Sequence, residues 1–149
     1  ADAEVVLRFF ALRHVDHYRR GMQGFLDLYM RRAAKISDQD VAQLKELYQR
    51  TLHLAREIYS DLIFRPYLVE REAWDSKPHR AFQDAVMIGL SERLADDVTL
   101  KQRSFDVVES TKQLFQMHPE GTFTGRGNTK QDIKDRIDHY RGMLSNILG

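Results

Sequence analysis

EVVLRFFALRHVDHYRRGMQGFLDLYM, residues 4–30, holds two helical patterns of different kinds, and reading them decides the fold class. In the first, Val5, Val6, Leu7, Phe9, Phe10 and Leu12 leave only Glu4, Arg8 and Ala11 to break the apolar surface, so other helices must cover it on several sides. Glu4 and Arg8 stand four apart with the acid first, the order that suits a helix, and are expected to pair along its one polar strip. After Asp16 or His17 a second helix sets Tyr18, Met22, Phe25, Leu26, Tyr29, Met30 and Ala33 at steps of three and four, ending near Lys35. One helix is apolar nearly all round and the next has a single apolar face; together they call for a bundle.

Outward from this stretch the same period continues. Ser37 or Asp38 caps a third helix, in which Val41, Leu44, Tyr48, Leu52, Ala55, Ile58, Tyr59 and Leu62 repeat the stripe until Pro66 stops it. Residues 66–77 have no period and read as a loop, with Trp74 expected to fold back onto the bundle. A fourth helix is predicted to start between Ser76 and Pro78 and to carry Phe82, Ala85, Val86, Ile88, Gly89 and Leu90 on a broad apolar face. Asp96 or Asp97 caps a fifth, bearing Leu100, Val107, Val108, Thr111, Leu114 and Phe115 and ending at His118 before Pro119. The loop of residues 119–129 then leads, through Asn128 or Thr129 as cap, to a last helix with Ile133, Ile137, Tyr140, Leu144 and Ile147. With no β-type alternation, internal repeat or linker, the expectation is one all-α, six-helix, bundle-like domain over residues 1–149.

Composition narrows the class. A chain of 149 residues is long enough to bury a real core. Cysteine is absent, which excludes a disulfide framework and a thiolate metal site and makes a reducing, cytoplasmic setting the expectation. No apolar run approaches the roughly 20 residues of a membrane span, so no membrane partner is expected. The formal charge is +1, and any nucleic-acid surface must therefore be a local patch.

The run EVVLRFFAL, followed about a helix later by Tyr18 and by Phe25, Leu26, Tyr29 and Met30, resembles the helical half of the GmrSD-type restriction endonuclease family, whose members begin with a ParB-like nuclease domain. Phe64 and Arg65 in LIFRPY, and Phe82 and Asp84 in HRAFQDAVMIGLSE, look like that family's FR turn and the helix after it. The likeness covers roughly the first two thirds of the chain. The family's Asp-Gly-Gln-Gln-Arg type motif, which belongs to a strand-rich domain ahead of this region, does not occur here, and His118-Pro119 is not the His-x-x-Pro type motif of the HNH-like domain that often ends such proteins. The resemblance implies a C-terminal fragment of a bacterial defence nuclease directed at modified foreign DNA, dependent on a nucleotide held by the missing N-terminal domain. For this chain it implies a non-catalytic module without a cofactor, partnered by that domain. It sets no oligomeric state.

Four constellations merit a chemical reading. In TGRGNTK, residues 124–130, Gly125 and Gly127 free the backbone N–H groups, Arg126 and Lys130 add positive charge, and a helix starts at once, which is how phosphate sites are built; the spacing is not that of a Walker A loop. Arg19, Arg20, Arg31, Arg32 and Lys35 lie opposite the apolar stripe of the second helix, with Arg13, His14 and His17 continuing the basic surface, and could contact a DNA backbone without reading sequence. A solvated helix face and a plain connecting loop are the simpler readings of these two. His14, Asp16 and His17 lack further ligands at matching spacing, so no metal is expected. Arg8 with five residues before His14 resembles the Arg-x4-to-6-His motif of HEPN-type ribonucleases, with Phe9 standing where those proteins usually have a polar residue. No catalytic residue is assigned; the alternatives to the nuclease module are a free-standing HEPN-like ribonuclease and a protein-interaction bundle.

Overall fold

A computed structural model describes the backbone of residues 2–14, 31, 37–125 and 127–149, with side chains from residue 5 onward. The fold is all-α. Six α-helices occur among the described residues: α1 (Asp2–Arg13), α2 (Asp38–Tyr59), α3 (Arg80–Ser91), α4 (Asp97–Gln102), α5 (Ser104–Met117) and α6 (Lys130–Leu148). The expected second helix lies outside the described residues except at Arg31, which is helical and exposed. None of the described helices is long and apolar enough to cross a membrane.

The centre is α3. Its sequence RAFQDAVMIGLS is apolar on almost every side, and Phe82, Ala85, Val86, Ile88 and Leu90 are fully buried. It packs most extensively on α6, then on α2 and α1. Gly89 makes the α6 contact possible: a Cβ there would stand 2.5 Å from Cδ2 of Tyr140. One core cluster runs through all six helices and takes in Phe9, Phe10, Ala11 and Leu12 of α1, so the C-terminal half of the first helix is covered as its sequence requires. Two of the expected caps form, while Asp96 makes no side-chain cap at the start of α4. The Ser37 hydroxyl accepts the N–H of Asp40 at 3.2 Å, and Thr129 and Asp132 form a reciprocal capping box at the start of α6.

In four places the structure departs from expectation. Residues 67–74 are not a loop: β1 (Tyr67–Leu68) and β2 (Ala73–Trp74) pair antiparallel, with Tyr67 opposite Trp74, turned by Glu72 in the left-handed region. Two-residue strands are too short to show alternation. Trp74 meets the buried ring of its hairpin partner Tyr67 at 5.3 Å, where the sequence predicts that it folds back onto the bundle. Next, the third helix ends at Tyr59 and not at Pro66, because Ser60 takes φ 50° and breaks the helical run; Ile63 and Phe64 stay apolar beyond it and prolong the stripe. The fourth helix begins at Arg80, two residues after Pro78. Finally, the fifth helix is two, α4 and α5, broken at Arg103 (φ −104°, ψ 28°), whose guanidinium reaches across to the carbonyl of Ile147 at the end of α6.

Arg8 has a partner that local spacing does not name. Its guanidinium turns across the helix interface to Asp84 on α3, donating from Nε at 3.1 Å and from Nη2 at 2.7 Å, in a bidentate pair largely shielded from water. The side chain of Glu4 lies outside those described. A buried carboxylate facing α1 offers Arg8 two acceptors in fixed geometry.

Candidate functional site

The loop between α5 and α6 and the hairpin before α3 leave a cleft of about 660 Å³ between them, within the size range of small-molecule sites. Its apolar floor comes from Tyr67, Phe115 and Phe123, and its polar wall from Asp75, His79 and His118. The hairpin sets one side because pairing of β1 with β2 returns the chain so that the N–H of Asp75 reaches the carbonyl of Pro66 at 2.8 Å. Phe123 sets the other. It is the anchor of the loop, 2% exposed, edge-on to Phe82 and tilted against Phe115.

Asp75 and His79 form a dyad. Oδ2 of Asp75 accepts from Nε2 of His79 at 3.0 Å, while Oδ1 accepts the N–H of Lys77 at 3.1 Å. The Lys77 amide first, and the His79 ring after it, hold the Asp75 carboxyl below its ordinary range. This fixes the imidazole as a general base would need. Among the described residues no hydroxyl or thiol is hydrogen-bonded to His79.

His118 caps the C-terminus of α5 and stacks on His139 of α6, ring centroids 3.9 Å apart and planes 26° from parallel. Burial, and then the neighbouring His139, lower the pKa of His118 from its ordinary 6.5, since a second positive charge there has little room. Both rings meet Phe123 edge-on, at 5.9 and 6.2 Å. His118 borders the cleft and also two shallower grooves, one along α5 and α6 and one beneath the 119–122 turn.

The residues singled out from sequence fall elsewhere. Arg19, Arg20, Arg32, Lys35 and Arg126 lie outside the described residues, and Arg31 is exposed. In the TGRGNTK loop, Gly125 adopts φ 88°, and Gly127 is needed for close approach because a Cβ would meet the Asp132 carboxylate at 2.4 Å. That carboxylate accepts the N–H of Thr129 at 3.1 Å, so the start of α6 carries its own negative group. The groove beside it is bordered by Glu120, Asp132 and Asp135. Lys130 opens α6. Arg8, the arginine of the ribonuclease reading, has its guanidinium committed to Asp84, and His14 sits at the end of α1.

Among the described residues no three metal-ligating side chains converge. The stack explains why His118 and His139 do not make a start on such a site: nearly parallel rings 3.9 Å apart cannot both aim an in-plane nitrogen lone pair at one ion about 2 Å away. Sequence reasoning missed both His pairs. Asp75 and His79 carry a signal, a four-residue spacing just ahead of a helix; His118 and His139 carry none, because only the packing of α5 on α6 brings them together. No protein-family model, no curated protein and no solved structure matches this chain.

Proposed function

We propose that this chain is a non-catalytic helical module of a GmrSD-type defence nuclease, which supports a nucleotide-dependent nuclease domain and contacts DNA through its basic second segment in the cytoplasm. One observation carries the reading. The two segments that bear the family likeness, EVVLRFFAL and HRAFQDAVMIGLSE, are joined by the bidentate Arg8–Asp84 pair, and Phe64 of the FR turn accepts the N–H of His79 just before that second segment. The shared residues thus serve to hold helices together, and a scaffold is what such residues support. The same pair argues against the HEPN-like alternative, since a guanidinium held by Asp84 is not available to steady a phosphate.

Reading the gene upstream of Ala1 tests the first half of the proposal. Continuation into a strand-rich region with an Asp-Gly-Gln-Gln-Arg type motif is the expected result, and a start codon at or just before Ala1 overturns it. Fluorescence anisotropy with a labelled duplex tests the second: binding should fall steeply with salt and weaken when Arg19, Arg20, Arg31, Arg32 and Lys35 are replaced together by alanine. Absent binding, or binding indifferent to salt, would leave a protein-interaction bundle as the better reading.

A further inference from the structure

We propose that the groove between α5 and α6 is a docking site for a basic amphipathic helix of a partner protein. The groove measures about 640 Å³, lies open along both helices and uses none of the residues that carry the family likeness. Leu114, Met143 and Ile147 form its floor, each at 7–8% exposure, and Met117 stands beside them at 75%. Gly142 leaves a gap in the α6 wall, where an added Cβ would meet nothing within 4 Å. Bare backbone at that point lets another chain approach closely, and methionines adapt to whatever lies against them.

Shape and charge together select the occupant. A groove this open does not enclose a small molecule as a pocket does. Both walls are helices, whose backbone groups are bonded within the helix, so they offer an extended peptide no ladder of hydrogen bonds. A helix brings its own backbone bonds and presents a stripe of side chains instead. From Arg103 to Met117 the α5 wall runs about 20 Å, the length of roughly four helical turns. Asp106, Glu109 and Asp138 line the groove against one guanidinium, that of Arg103. Asp106 is bridged to Arg103, and Asp138 to Arg141, which also holds Glu92. Glu109 has no ion pair among the described residues and is left for a cation from outside. Lysine or arginine beside the apolar stripe of a docked helix answers this excess and sets its register, whereas a nucleic-acid backbone is repelled by it.

Fluorescence anisotropy with the intact chain at neutral pH tests the docking. The probe is a labelled synthetic helix of about 18 residues, with leucines at i, i+3, i+4 and i+7 and lysines elsewhere. It should bind about tenfold more tightly than a shuffled peptide of the same composition, and than one with glutamate for every lysine. Glu109→Lys and Gly142→Gln should each weaken binding by about tenfold, the first by reversing the unpaired charge and the second by filling the gap in the α6 wall. The two substitutions lie on different helices, so misfolding of one, seen by circular dichroism, leaves the other as the test. Equal binding of the shuffled peptide overturns the proposal, because charge alone then accounts for it. Undiminished binding to both variants overturns it too, as does no binding at about 1 mM peptide. So does a chain that sediments as a dimer and is returned to monomer by Gly142→Gln, which seats a second copy in the groove.

Discussion

Arg8 with Asp84 and Tyr59 with Tyr140 are both polar contacts between distant parts of the chain, yet they sit at opposite depths and in opposite charge states. The first joins α1 to α3 at an edge where both side chains are largely shielded from water. The second lies at the centre, where the Tyr59 hydroxyl is hydrogen-bonded to Tyr140 at 2.8 Å and to Thr111 at 2.7 Å, with all three residues essentially buried. Neutral hydroxyls can satisfy one another without water; a carboxylate and a guanidinium pay heavily for losing it. The Asp84 carboxyl records this. Burial pushes its pKa up despite Arg8, with Arg80 and Arg136 also nearby. Buried ion pairs as a class specify which helices meet more than they stabilise the meeting.

Breaking the charged pair should give the largest effect. Asp84→Ala leaves Arg8 partly buried without its partner and is expected to cost about 3 kcal/mol, seen in urea or thermal unfolding. The comparison sharpens if both members are replaced: Arg8→Met with Asp84→Leu should return most of that loss, because no charge is then left to desolvate. Recovery of less than half would mean that the ion pair itself stabilises the fold.

Next comes the packing that holds the neutral network in place. Gly89→Ala would drive a methyl group into the Tyr140 ring and should cost about 2 kcal/mol through displacement of α6 from α3. At Gly142, also on α6, an added Cβ meets nothing within 4 Å, so Gly142→Ala should be neutral or stabilising in the same unfolding experiment.

Within the network the two tyrosines should differ. Tyr59→Phe strands the Tyr140 hydroxyl, whose hydrogen bond is to Tyr59, and should cost about 1.5 kcal/mol. Tyr140→Phe leaves the Tyr59 hydroxyl bonded to Thr111 and should cost less, about 0.5 kcal/mol. Equal losses would mean that Thr111, which also donates to the Val107 carbonyl, does not partner Tyr59 effectively.

These contacts also divide what sequence reveals from what it conceals. The helices were legible because burial of one face imposes a period, and their starts because Ser37 and Thr129 are the residue types that cap. The break at Arg103 was not, since α4 and α5 share one apolar stripe and the bend follows from a contact with the far end of α6. The hairpin was too short to have a period. Asp84, 76 residues further on, holds Arg8 in a bidentate pair, and no spacing rule reaches that far. Of the candidate site, Asp75 and His79 lie within one spacing rule of each other, whereas the meeting of His118 with His139 is a product of helix packing alone.

High pH separates the two kinds of contact most cleanly. Burial raises the Tyr59 pKa from 10.0 to about 12, and that of Tyr140 rises too. In the unfolded chain both hydroxyls ionise near 10, so the folded state holds its protons longer. Stability from these groups is complete below pH 10 and drains away as pH climbs toward the folded value. At pH 11 the shift at Tyr59 corresponds to about 1 kcal/mol, since one pKa unit is worth about 1.4 kcal/mol. Replacing Arg8 and Asp84 leaves both tyrosines and their hydrogen bonds in place. Unfolding free energies at pH 8 and pH 11 should therefore fall less for Tyr59→Phe than for the unaltered protein, while the Arg8→Met, Asp84→Leu double variant keeps the full loss. If the double variant also resists alkali, the neutral network is not the alkali-sensitive element, and the contrast between a charged edge and a neutral centre fails.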